Sequence, residues 1–374
     1  MKEGVFPIKR TIQILTAAIF CLFLGGLGVL HILLPDQPFS PVENRNLSQL
    51  PTFTVQKLVD GSYTKALETY LEDQFPLRDR WIGLKSRYEY VLGQREFGGV
   101  YLCGDRLIAK VVESERAEKN LSFIPRLVEK SDIPVYLSLI PTAAEVWKDR
   151  LPAGAASFDQ AAYLEKAKAL GANWVDMAAA LADHAGEEIF YRTDHHWTSL
   201  GAYYGYAAFM ETIGETPLPL GEKITVSEDF YGTLYSSSGV HWLSPDSIDR
   251  YVSDEGITVT AFDGVQETTH DLYVDEFLGK KDKYASFLGG NQPLYTIKNP
   301  NAATDQKLLI VRDSYSDAMA PFLARHFSEI RLLDLRYYRT GVAAYAQEMG
   351  ADMILVCYSV DNFQKDMDAI FLGQ

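Results

Sequence analysis

This sequence predicts an α/β fold in which a parallel sheet is covered by helices on both faces, and three observations carry that reading. Short, mostly apolar runs such as 307–311 and 352–357 have the length and composition of strands buried on two sides. Amphipathic helical stretches separate them, so that helix and strand alternate from Arg116 onward. The chain is also 47% apolar and 12% aromatic, enough for a large packed core in 374 residues.

The elements follow in order. Ile12 to Leu34 carries no formal charge and is preceded by Lys9-Arg10. It is long enough to cross a hydrocarbon layer of about 30 Å, and its basic flank orients residues 1–34 as a cytoplasmic tail and transmembrane anchor. A cleavable signal peptide would have an apolar core of about 7–15 residues and a small-residue cleavage site. This run is longer and ends Leu33-Leu34-Pro35, which favours the uncleaved anchor and an extracytoplasmic remainder. Residues 35–54 are polar and proline-rich and read as a linker. Two helices are expected at Val55–Phe75 and Leu77–Leu92, broken by Pro76, followed by a short strand at Gly98–Leu102.

Next come a helix near Glu118–Lys130, strand Pro134–Ile140, a helix near Gln160–Leu170 and strands Asn173–Val175 and Glu188–Tyr191. A helix then starts at about Ser199 and runs to Ile213. Residues 217–305 interrupt the rhythm and read as an irregular, partly β insertion, with short runs at Ile257–Phe262 and Leu272–Val274. The alternation resumes with strands 307–311, 329–333 and 352–357 and helices 315–327, 341–349 and 360–370. One domain, 55–374, would hold all of this.

Charge narrows the partners. The chain is −15 overall, and its first 35 residues are net positive. The acidic remainder excludes nucleic acid, whose phosphates need Lys/Arg to displace counterions, and works against docking on anionic lipid. Cys21 lies in the apolar span. Cys103 and Cys357 either form one long-range disulfide or remain two thiols.

Two turns carry candidate chemistry. Asp194-His195-His196-Trp197 precedes a helix start at Thr198-Ser199. An acid at i and a histidine at i+2 of an extended turn share one side, which suits a carboxylate orienting an imidazole base. His195 would then point the opposite way, as a wall or substrate contact, and Trp197 offers a flat face to a sugar ring or to the core. Some 118 residues beyond His196, the strand 307–311 runs into Arg312-Asp313-Ser314 and a helix. A hydroxyl there sits among free backbone N–H groups that can hold an oxyanion; alternatively, Asp313 or Ser314 only caps the helix.

Other roles stay open. Asn362 and the N–H of Tyr315 are candidate oxyanion donors, and Arg312 would pair with Asp313 or bind a carboxylate. Tyr231, Tyr235 and Trp242 would line a glycan groove or be structural. Asp194, His195 and His196 are also possible metal ligands, but adjacent histidines without HxH or HExxH spacing make a poor site, so no metal or other cofactor is assigned.

These residues resemble the DHHW family of exported bacterial proteins, relatives of the alginate O-acetyltransferase proteins with an SGNH-hydrolase-like fold. The resemblance rests on the DHHW turn 194–197, on Val42-Glu43-Asn44-Arg45-Asn46-Leu47, on Asp73-Gln74-Phe75-Pro76-Leu77-Arg78-Asp79, and on Leu309 to Ser316. It implies that Asp194 orients, His196 acts as base and Ser314 attacks. Arg312 stands where the serine block of that fold begins with glycine, so the oxyanion donors are not carried over. It also implies a membrane-bound O-acyltransferase as acetyl donor and a polysaccharide as acceptor. The expected activity is an extracytoplasmic O-acetyltransferase or acetylesterase; the rivals are a metal-dependent phosphoesterase using Asp194-His195-His196 and a non-catalytic glycan-binding or assembly protein.

Overall fold

The computed structural model describes residues 5–374, so the first four residues of the expected cytoplasmic tail lie outside it. The chain divides into two compact units, one ending at Leu92 and one spanning Gly93–Gln374.

In the first unit, helix α1 (Val5–Leu33) includes Arg10–Leu33, 24 residues of mean hydropathy 2.2, long and apolar enough to cross a membrane as an anchor or a signal sequence. The expected helix over 55–75 is two helices, Val55–Val59 and Ser62–Asp73. Gly61 divides them, with a left-handed φ of 78° that interrupts the helical path. The two segments quoted for the family resemblance meet here. Arg45 makes a bidentate pair with buried Asp73 (Nη1 to Oδ2 3.0 Å, Nη2 to Oδ1 2.5 Å), and Arg78 pairs with Glu43 at 2.7 Å. Asp73 also accepts the Ser48 N–H at 2.8 Å, which ties the proline-rich stretch down.

The second unit is built on one eight-stranded sheet. In chain order its strands are β1 (Val135–Ile140), β2 (Asn173–Trp174), β3 (Thr258–Phe262), β4 (Glu267–His270), β5 (Leu294–Lys298), β6 (Lys307–Arg312), β7 (Glu329–Leu333) and β8 (Met353–Ser359). Across the sheet they run β4-β3-β5-β7-β6-β8-β1-β2. The five from β7 to β2 are parallel, with Leu308 opposite both Ile330 and Met353. Strands β4, β3 and β5 join antiparallel at the β7 edge.

Alternate residues of one strand feed opposite faces. Leu308, Ile310, Leu355 and Cys357 enter a core with helix α2 (Ser199–Thr212) and helix α3 (Tyr315–Ala324). Leu309, Val311, Ile354 and Val356 enter the other, against Phe123–Lys130, Val342–Met349 and helix α4 (Val360–Lys365). The parallel sheet covered on both faces is therefore present.

Several elements differ from expectation. Residues 217–305 supply β3, β4 and β5, so the expected partly β segment carries the antiparallel edge of the main sheet. Of these strands β3, within the expected run Ile257–Phe262, buries alternate residues Val259 and Ala261, whereas β4 buries none and so leaves no apolar pattern. Leu272–Val274 makes only a single bridge, Tyr273 to Phe287. Glu188–Tyr191 is likewise no strand; Phe190 bridges Trp197 alone. Gly98–Leu102 belongs to a small three-stranded meander of Glu96–Phe97, Val100–Cys103 and Arg106–Ala109. Cys103 and Cys357 are separate thiols.

Candidate active site

The serine turn comes first because the sheet dictates it. β6 is buried along nearly its whole length and ends at Arg312 beside Cys357 of β8. The chain must then turn sharply into α3. Asp313, 1% exposed, holds the turn: Oδ1 accepts the Tyr315 N–H (3.0 Å), and Oδ2 accepts the Ser359 N–H (2.9 Å), the Ser359 hydroxyl (2.8 Å) and the Asn362 amide (2.8 Å). Asp313 thus caps α3, and Ser314 makes no side-chain cap. Its hydroxyl is left for another partner, and Ser314 is the one residue of 311–320 that is not buried.

That partner is His196. Nε2 of His196 lies 2.8 Å from Ser314 Oγ, and Nδ1 lies 2.6 Å from Asp194 Oδ1. A carboxylate only accepts, so Nδ1 carries the proton and Nε2 of the neutral ring accepts from the serine hydroxyl. Asp194 also receives the His196 N–H (3.0 Å), the Thr233 N–H (2.7 Å) and the Thr233 hydroxyl (3.0 Å). Burial opposes the charge on Asp194, but both histidines and Thr233 hold its pKa well below the usual carboxylate range. Burial also opposes a charged His196, yet Asp194 more than offsets it and raises the pKa above the ordinary 6.5. A hydroxyl, an imidazole of raised basicity and an ionised carboxylate in one hydrogen-bonded row can move a proton off the hydroxyl.

The histidine turn is held from the 230–246 region. Asp246 accepts the N–H groups of Arg192 (2.8 Å) and Thr193 (2.9 Å) and the Thr193 hydroxyl (2.6 Å). Gly232 touches Asp194 so closely that an added Cβ would stand 2.2 Å from the aspartate Cβ. Tyr284 stacks flat on His196, with centroids 3.9 Å apart and planes 9° apart, and donates its hydroxyl to the Ser314 carbonyl at 3.0 Å. None of Thr233, Gly232, Asp246 or Tyr284 was anticipated from the sequence. A glycine-threonine pair at a helix start, Gly232-Thr233 before Thr233–Ser238, was the one available signal.

The remaining candidates are corrected in part. His195 does not point away: its ring lies 3.9 Å from that of His196, and Nδ1 meets the Thr233 hydroxyl at 2.7 Å. The reason is that 192–196 is a run of bends and not extended chain, so alternation of sides fails. Burial, then repulsion by His196, pushes the His195 pKa down to about 4, although the edge of the ring remains exposed.

Trp197 is fully buried and donates its indole N–H to the Tyr315 carbonyl at 2.9 Å, so it is core and not a sugar platform. Gly201 and Gly205 of α2 make room for it; a Cβ on Gly205 would lie 2.7 Å from its ring. The Tyr315 N–H, offered as an oxyanion donor, is engaged by Asp313, as is one N–H of Asn362. Arg312 is fully buried and pairs with Asp317 at 2.6 Å, not with Asp313, because its side chain enters the α3 face of the sheet.

Tyr231 and Tyr235 pack together (4.4 Å) beneath Lys281, which lies 5.7 and 5.2 Å from their rings; Trp242 packs on Phe97. Asp194, His195 and His196 offer ligand atoms within 4.8 Å of one another. Both ring nitrogens of His196 are already engaged, so this donor set fits a metal poorly unless Ser314 is released.

The family model for DHHW proteins matches residues 97–333, which include both turns. The chain belongs to the DHHW family. Among solved structures it is similar to a DHHW family protein from Eubacterium siraeum (TM-score 0.64, 24% identity, 74% of this chain and 95% of that one) and to PatB1 of Bacillus cereus carrying a sulfonyl adduct (TM-score 0.60, 22%, 72% and 97%). The fold is the SGNH-hydrolase-like α/β fold that the family resemblance implied. Among curated proteins it is 29% identical over 211 residues to a probable alginate O-acetylase, AlgJ, of Pseudomonas syringae pv. tomato (52% of this chain, 51% of that protein). AlgJ of Pseudomonas fluorescens is 24% identical over 228 residues (56% and 55%). The chain thus spans about half the length of the curated relatives it matches.

Proposed function

We propose that this DHHW protein is a serine-dependent O-acetyltransferase or acetylesterase acting on a cell-surface or secreted polysaccharide. The observation that carries the reading is the unbroken row Asp194–His196–Ser314, with links of 2.6 and 2.8 Å. The name of the AlgJ relatives, alginate O-acetylase, supports the reaction class.

Ser314 Oγ attacks the acetyl carbonyl carbon of a donor ester while His196 Nε2 takes the hydroxyl proton. Asp194 accepts from Nδ1–H and steadies the imidazolium. The developing oxyanion is met by the Ser314 N–H, which has no hydrogen-bond acceptor among the described residues, at the N-terminus of α3. The tetrahedral intermediate collapses, the donor alcohol leaves with the proton held by His196, and an acetyl-serine remains. A sugar hydroxyl then attacks it, with His196 again as base; water in its place gives the esterase outcome. The apolar N-terminal helix anchors the chain with residues beyond it outside the cytoplasm, where a membrane-bound O-acyltransferase supplies the acetyl group.

The test is intact-mass spectrometry of the full chain in detergent after incubation with an activated acetyl ester, beside Ser314→Ala and His196→Ala. One acetyl adduct on the wild type and none on either variant is the expected result. A wild type without adduct or ester turnover would overturn the serine mechanism and leave a non-catalytic glycan-binding role. One rival is a metal-dependent phosphoesterase using Asp194, His195 and His196, whose ligand atoms lie within 4.8 Å of one another. That reading requires phosphoesterase activity that chelator abolishes and Ser314→Ala preserves.

A further inference from the structure

Three lysines lie close together between Glu276 and Tyr284, and two of them are matched by a carboxylate. Lys280 pairs with Glu276 at 2.6 Å and Lys283 with Asp229 at 3.0 Å. Lys281, half-buried between them, has no carboxylate or other hydrogen-bond acceptor on its ammonium among the described residues. Acids are plentiful in this chain, 50 against 35 basic residues, so their scarcity does not explain the gap. The ammonium stands instead over the paired rings of Tyr231 and Tyr235, 5.7 and 5.2 Å away. Ring faces attract the charge but leave its three N–H donors free for a guest.

The two rings flank the turn that holds the catalytic row. Between Tyr231 and Tyr235 lie Gly232, which packs against Asp194, and Thr233, which bonds both Asp194 and His195. The Tyr235 N–H bonds the Thr193 carbonyl at 3.0 Å. Lys281 itself comes three residues before Tyr284, whose ring stacks on His196. Burial pushes the Lys281 pKa down and the Asp194 charge opposes that shift, so the ammonium lies within the field of the site. The nearby acids do not claim it. Both Asp194 oxygens are taken by His196 and Thr233, and Asp282 turns back to the Ala285 N–H at 3.4 Å. The exposed edge of His195, bonded to Thr233, opens the site on this same turn.

We propose that Lys281 selects the acceptor: its ammonium receives an anionic group, a carboxylate or a phosphate, on the polymer acetylated through Ser314. The inference rests on the reaction proposed above, but its binding test is independent of turnover. The acidic chain repels a polyanion from afar, yet physiological salt screens exposed charges beyond about 8 Å, and inside that distance the local ammonium decides. Binding would be measured by calorimetry on full-length Ser314→Ala protein in detergent. The probes are tetramers of mannuronate and galacturonate for the carboxylate and of glycerol phosphate for the phosphate, with tetramers of mannose and galactose as neutral counterparts.

At least one anionic probe is expected to bind, and the neutral tetramers at least about tenfold more weakly. Adding Lys281→Met keeps an apolar stem on the tyrosines and removes the charge. It should raise the dissociation constant of that probe roughly tenfold or more, the loss of a charged hydrogen bond. Lys281→Arg should retain most of the affinity, and Lys280→Met, at the exposed neighbour, should leave it unchanged. Thermal unfolding checks each variant, with Lys281→Gln as the second route if the methionine variant fails to fold. Uronate binding alone identifies the carboxylate, glycerol phosphate binding alone the phosphate, and binding of both a site for charge whatever its carrier. Neutral binding as tight as anionic, no anionic binding at millimolar concentration, or equal losses from Lys281→Met and Lys280→Met would overturn the assignment. Acetylation of Ser314 without anionic binding removes this inference only; anionic binding that depends on Lys281, without acetylation, removes the serine mechanism only.

Discussion

The serine turn and the histidine turn each deliver one atom to the same 2.8 Å contact, but they are held by different means. The serine turn is fixed by the sheet: β6 enters it, α3 leaves it, and Asp313 fastens it to Ser359 and Asn362 at the end of the neighbouring strand. The histidine turn is a run of bends with no strand to set its path. Its position comes from scattered backbone bonds, such as the Leu107 N–H on the Arg192 carbonyl (2.7 Å) and the Tyr235 N–H on the Thr193 carbonyl (3.0 Å), and from side chains of a distant segment: Asp246 on Arg192 and Thr193, Thr233 on Asp194, and Tyr284 against the imidazole. A site of this kind has one wall at the end of a paired strand and the other in a turn that no ladder sets, so perturbations on the two sides should fail differently.

The largest effect should come from Asp194→Asn. It spoils the tautomer and charge support of His196, and Ser314 acetylation should slow about 10³- to 10⁴-fold with the fold intact. The same variant shifts the pH profile. The rate requires neutral His196, so it rises as pH climbs through the His196 pKa, which Asp194 holds above 6.5 in the wild type. Without Asp194, burial works against the charged ring with only Asp313 and Asp317 left to favour it, and the midpoint should fall below that of the wild type. A midpoint that stayed put would mean that Asp194 is not the group tuning the base.

On the serine side, Asp313→Ala should cost stability first. It leaves buried N–H groups of Tyr315 and Ser359 without an acceptor, a loss of at least about 3 kcal/mol, read from the denaturant midpoint. Unchanged stability would break the contrast between the two turns. Gly232→Ala comes next: its Cβ would collide with Asp194, and a displacement near 1 Å should lower the acetylation rate about 10²-fold with a modest change in melting temperature. Thr233→Val is the mildest. It keeps the backbone N–H on Asp194 and removes only the hydroxyl, so about a tenfold loss is expected.

The contrast also explains what could be read from the sequence. Strands 307–311, 329–333 and 352–357 and the helix starting at Ser199 were legible because their periodicity is local, and Asp194, His196 and Ser314 stood out because each lies in a turn that leads into a helix. Thr233, Asp246 and Tyr284 lie in residues 217–305, whose half-buried strands and loops show little periodicity. Their contacts with 192–196 span about 40 to 90 residues and leave no local trace. The same loss of regularity reversed the expected direction of His195. Trp197 was ambiguous on its own; Gly205 of α2 decides it by leaving the space that the ring fills.

One consequence of Tyr284 concerns the order of events. Its ring covers one face of His196, while Asp194 and Ser314 fasten both nitrogens, so the imidazole has no second orientation in which to serve another substrate. A fixed relay has a single point of delivery. In the proposed chemistry, the alcohol that leaves and the alcohol that arrives must therefore occupy the same spot in turn. The acyl donor has to depart before the polymer can approach, and an excess of either should compete with the other.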